Sequence, residues 1–159
     1  RIIADELAGS SASNPIVEEF DELAERGLGC AANLSVGRIA EILRQDPRHP
    51  DPPKNWKADS HYRLPLQGAE SLLEAGQRVA AHLNSRMAGL PDGSLKLFVG
   101  HGAAFRHAAY HLGVLEFAQI ARLSMFHGHP VFLEYQTPGV WCHIAGDWKM
   151  RDKNSRFMD

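Results

Sequence analysis

Residues 95–112, LKLFVGHGAAFRHAAYHL, constrain the chain more than any other stretch. Leu95, Leu97, Phe98 and Val99 form a short apolar run of the kind that becomes a buried strand. Gly100-His101-Gly102 makes a sharp turn, and Ala103 onward reads as a helix. Such a passage puts one imidazole, His101, at the carboxyl end of a strand and beside the amino terminus of a helix. Open α/β sheets bind ligands there, and free backbone N–H groups together with the helix dipole favour an anion. A βα turn that merely contains a polar residue has the same pattern, and these residues alone do not separate the two.

The rest of the composition narrows the classes. At 159 residues the expected organisation is one domain over 1–150 with a polar tail over 151–159. A formal net charge of −2 offers no basic excess for nucleic acid. No apolar run approaches the ~20 residues that cross a bilayer. Cys30 and Cys142 show no CxxC or zinc spacing, so reduced thiols and a cytoplasmic location are expected. The chain opens at Arg1, without Met, in RIIADELAG, which already reads as the inside of a helix; the expectation is a processed or truncated product.

In chain order, Ile16 to Phe20 is a candidate strand and DELAERGLGCAANL an ordered loop. Ser35 can cap a helix over 36–44, with Val36, Ile39, Ala40 and Leu43 on one face. Gln45 to Gln67 holds five prolines, Trp56 and Tyr62, a loop long enough to be a lid or a mobile segment. Its Arg48, His49, Lys54, Lys57 and Arg63 could meet extra anionic groups, and its aromatics are expected to pack it down. A long helix starts near Glu70, with Glu70 and Ser71 capping it. Its stripe of Leu72, Leu73, Gly76, Val79, Ala80, Leu83 and Met87 is expected against a sheet. Pro91-Asp92-Gly93 is a turn, Gly113 ends the helix after His101, and a short helix covers 116–122. Strands follow over 122–126, 131–136 and 140–144, the last two a hairpin turned at Pro138-Gly139. The order predicts an α/β fold: a three-layer, mostly parallel sheet with helices on both faces and its first strand missing.

Three segments, LFVGHG, LAERGLG and GAES with Arg78, jointly resemble the histidine phosphatase superfamily, the phosphoglycerate mutase-like proteins. The resemblance implies that His101 is the family's second catalytic histidine and that Glu25, within Leu23-Ala24-Glu25-Arg26, donates the proton. By their own chemistry, Arg26 could contact a substrate phosphate or carboxylate, and the backbone N–H groups of Gly102 and Ala103 could add to phosphate binding. His127, which precedes the hairpin at the sheet's ligand-facing end, could touch substrate or simply cap that turn. Glu25 serves as an acid provided a partly buried, phosphate-adjacent site raises its pKa. On its own residues it equally reads as a solvated loop carboxylate, and Arg26 as a partner for Asp21 or Glu22. Arg78 reads as a surface or inter-element ion pair.

The family's Arg-His-Gly motif, with the histidine that becomes phosphorylated, occurs nowhere in the 159 residues. Arg48-His49 and Arg106-His107 are followed by Pro and Ala. The expectation is that the nucleophile lies upstream of Arg1 and that the chain without it is inactive. Nine histidines, five of them between His101 and His129, raise zinc as a rival. His107 and His111 have helical ligand spacing, but no carboxylate or cysteine completes a site, so no cofactor and no metal are expected. The reading is therefore a phosphatase for a small phosphorylated metabolite. Mutase-type transfer and a non-catalytic binding member are the alternatives. An edge of the terminal hairpin offers a surface for homodimer pairing.

Overall fold

The computed structural model describes residues 16–137 and 139–151. The helix expected at the amino terminus and the tail past Arg151 lie outside the described residues, as does Pro138. Four α-helices occur among the described residues: α1 Val36–Gln45, α2 Leu72–Met87, α3 Gly102–His111 and the short α4 Phe117–Ile120. Three of the starts have a local cause. Ser35 Oγ accepts from the Arg38 N–H, capping α1. Ser71 and Glu74 form a reciprocal capping box on α2, and Glu116 with Gln119 does the same for α4. At its far end α3 stops where Gly113 turns into the left-handed region at φ 74°.

The α2 stripe does not lie on a sheet. Val79, Ala80 and Leu83 pack with Ala104, Ala108 and Leu112 of α3, and Trp141 closes this cluster. Gly76 sets the approach: a Cβ there would stand 2.4 Å from His107 Cβ. The two helices meet so closely only because that position has no side chain. A second cluster joins Ala31, Ile39, Leu43, Trp56, Leu64 and Ala69. It buries Trp56 to 4% exposure, so the long segment is packed down on α1, as its aromatics predict.

The sheet departs from expectation. Four strands form two antiparallel pairs, and no parallel pair occurs among the described residues. β1 Leu123–Met125 pairs with β4 Trp148–Met150, a strand the sequence pattern did not reveal. β2 Phe132–Thr137 and β3 Val140–Ala145 make the hairpin, with Tyr135 opposite Trp141. Trp141 Nε1 donates to Asn84 Oδ1 at 2.8 Å and fixes the hairpin to α2.

The strands expected at 16–20 and 95–99 are absent. A strand exists only through a ladder with a neighbour, and no described strand runs beside either segment. Ile16 is 90% exposed, and Leu95, Leu97 and Val99 are 88%, 55% and 57% exposed. Lys96 and Phe98, between them, are half-buried. The side chains thus alternate as in a strand, with three apolar residues outward. No helix of the described residues is long and apolar enough to cross a membrane.

Candidate active site

His101 is the N-cap residue of α3, with extended backbone at φ −103° and ψ 130°. Its carbonyl accepts the first intrahelical bond from the Phe105 N–H at 3.0 Å, but its imidazole does not cap the helix. Among the described residues no side chain accepts from the first-turn N–H groups of Gly102 and Ala103, the condition that makes a helix start an anion site. Gly100 is tight: a Cβ there would meet Phe105 and come within 3.0 Å of the Leu23 carbonyl. This close approach lets the 21–26 loop lie across the turn.

The loop brings Glu25 to the imidazole. Glu25 Oε2 is 3.8 Å from His101 Nδ1, with the two side chains 70% and 54% exposed. The partial burial expected for Glu25 is not found. Arg26 is half-buried, its guanidinium 5.5 Å from the Trp56 ring centroid. Burial lowers its pKa, and the neighbouring Glu25 charge works against that. The segment thus presents a cation beside the carboxylate, supported from below by the long segment's tryptophan.

Residues that sequence reasoning underrated hold this loop. Glu70 does not cap α2. Its carboxylate instead takes a fork from Arg78, Nε to Oε1 and the terminal nitrogen to Oε2, both 2.8 Å. Oε2 also accepts from the Gly27 N–H at 2.9 Å, and the Glu70 N–H donates to the Gly27 carbonyl at 2.8 Å. Arg78 then donates to the carbonyls of Glu22 (2.7 Å), Asp21, Ala24 and Glu25 (3.3 Å each). The inter-element ion pair expected for Arg78 is present, and it clamps the backbone that carries Glu25. The Arg78 bond, more than the Gly27 bond, holds the Glu70 carboxyl below its usual range.

His127 is exposed in the turn after β1. Its strand ends near the site, since a Cβ on Gly102 would be 3.9 Å from Met125 Cβ. Several of the remaining sequence candidates are engaged elsewhere. Arg48 forks onto Asp46 and Arg63 bonds Glu74. His107 engages Ser60 and Ala103, and His111 engages the Leu73 carbonyl. No group of three potential metal ligands occurs among the described residues. Both cysteines are free.

At the start of α3, then, stand an imidazole at the N-cap and a carboxylate 3.8 Å from it. A family model described as Histidine phosphatase superfamily (branch 1) matches residues 4–147, and the chain belongs to that superfamily. Membership brings an α/β fold and phosphatase- or mutase-type phosphoryl chemistry in general. No curated protein and no solved structure matches the chain.

Proposed function

We propose that the protein is a metal-independent phosphatase that hydrolyses a small phosphomonoester through a phosphohistidine. The observation that carries this reading is the 3.8 Å approach of Glu25 to His101 at the open start of α3. A phosphomonoester needs donors around its non-bridging oxygens, an in-line nucleophile and an acid for the leaving oxygen. Protonated His101 and the N–H groups of Gly102 and Ala103 hold the phosphoryl oxygens, and Arg26 takes a further anionic group of the substrate. The reading requires a nucleophilic histidine from the family's Arg-His-Gly motif, which these 159 residues do not contain.

In the first step the nucleophilic nitrogen bonds phosphorus, the ester P–O bond breaks, and Glu25 gives its proton to the departing oxygen. In the second, water attacks phosphorus and loses a proton to the Glu25 carboxylate; the P–N bond breaks and inorganic phosphate leaves. Two free cysteines fit a reducing cytoplasm. His127, at the ligand-facing end of β1, is the further candidate for substrate contact, and the edge of the hairpin for pairing between two copies.

The test is phosphomonoesterase activity of the full-length protein with excess chelator present. Retained activity, falling ~10²-fold or more in His101→Ala, supports the reading; an unchanged rate in His101→Ala removes His101 from the site. A non-catalytic binding member is the second reading, favoured by the absence of Arg-His-Gly from these 159 residues. An encoded sequence with no Arg-His-Gly upstream of Arg1 would establish it and end the enzyme reading.

A further inference from the structure

His107 and Ser60 form a contact that the reaction above does not use. His107 lies in α3 with no exposed surface. Its Nδ1 is 2.7 Å from the Ala103 carbonyl, which can only accept, so Nδ1 carries the proton and donates. Nε2 of the neutral ring is then an acceptor, and the Ser60 hydroxyl donates to it at 3.0 Å. Burial drives the His107 pKa down to about 4 against the pull of the Ala103 bond, while Arg106, His111 and Arg26 add to the lowering. One tautomer therefore spans two elements.

Both elements reach the candidate site. Ala103 is in the first turn of α3, and its N–H is one of the proposed phosphate donors. Ser60 belongs to the long segment that carries Trp56, on which Arg26 stacks. The Ser60 carbonyl also accepts from the Leu73 N–H at 3.1 Å, so this residue is pinned at both backbone and side chain. Gly76 completes the arrangement by letting α2 press on the His107 backbone.

We infer that His107 is a positioning residue: its imidazole couples the first turn of α3, through Ala103, to the long segment, through Ser60, so that the phosphate donors and the Trp56 platform under Arg26 hold one relative arrangement. This rests on the proposed reading of the α3 start as a phosphate site, and the experiment separates the two. Amide hydrogen exchange and a titration with inorganic phosphate, followed by amide NMR, are run on the full-length protein, Ser60→Ala and Ser60→Thr.

Ser60→Ala leaves a buried acceptor without a donor, and roughly tenfold faster exchange is expected both at 56–62 and at 102–105. Ser60→Thr, which keeps the hydroxyl, restores slow exchange in both. The wild-type ring shows an unprotonated Nε2 by ¹⁵N shift. Faster exchange confined to 56–62, no change in either segment, or no rescue by Ser60→Thr overturns the coupling. Phosphate that leaves the Gly102 and Ala103 amides of the wild type unmoved overturns the site reading instead, whatever the exchange data give.

Discussion

Arg78→Ala tests whether the loop that carries Glu25 is held by the clamp described above. The substitution removes both bonds of the Glu70 fork and four donations to carbonyls over residues 21–25. Breaking a fully buried ion pair costs about 3–5 kcal/mol. Each side chain of this pair retains 24% exposure, and the short, charge-assisted geometry offsets part of that access to water. A loss of about 2–3 kcal/mol is expected, equivalent to a Tm lower by roughly 5–10 °C for a domain of this size.

The assay is thermal unfolding at neutral pH, with Glu70→Ala and the double variant completing a cycle. The pair should show a coupling of about 1–2 kcal/mol. Because the folded Glu70 carboxyl titrates below its unfolded value, its contribution is present above about pH 4.3 and fades as pH falls through the lower folded value. The Arg78→Ala difference should therefore shrink in acid. Below the melting transition, kcat should also fall, since Glu25 is no longer carried to His101. An unchanged Tm, or single effects that simply add in the double variant, would refute the clamp.

Gly76→Ala should destabilise despite a helix-propensity gain of about 1 kcal/mol, because the new Cβ meets His107 Cβ at 2.4 Å and His107 C at 2.6 Å. Overpacking of this kind costs about 1–3 kcal/mol or more, and at contacts this short the cost exceeds the gain, read as a lower midpoint in urea. Burial of neutral His107 adds acid sensitivity. Its folded pKa of about 4 lies below the unfolded 6.5, so the unfolded state binds the extra proton. Stability is then complete above about pH 6.5 and falls by up to about 3 kcal/mol toward pH 4. Urea unfolding across that window should show the slope in the wild type and a shallower one in His107→Gln; equal slopes would mean that His107 is not the group responsible.

Elements with local causes were legible in the sequence. Ser35, the Ser71–Glu74 box, Gly113 and Gly139 at the hairpin act within a few residues, and the observed bounds of α1 and the end of α3 follow from them. The His101 turn and the Glu25 loop were visible as segments, though their approach depends on Gly100 and on the Glu70–Arg78 clamp. Burial was less legible. The apolar period of 95–99 implies alternation, which occurs, but cannot say whether a neighbour covers the outward side. The α2 stripe is as suited to a helix as to a sheet, and only Gly76 hinted at a close backbone partner. The Ser60–His107 bond joins residues whose spacing carries no periodic signal. β4 is three residues long and gains its identity solely from pairing with β1.

The central claim is that Glu25 is the proton donor facing His101. The most direct measurement is kcat/KM of full-length wild type and Glu25→Gln on two phosphomonoesters. One is p-nitrophenyl phosphate, whose leaving group departs without a proton; the other is an alkyl phosphate, whose leaving group needs one. The account predicts a loss of ~10²–10⁴-fold on the alkyl ester and at most ~10-fold on the aryl ester. Equal losses on both substrates, or none on the alkyl ester, would contradict it.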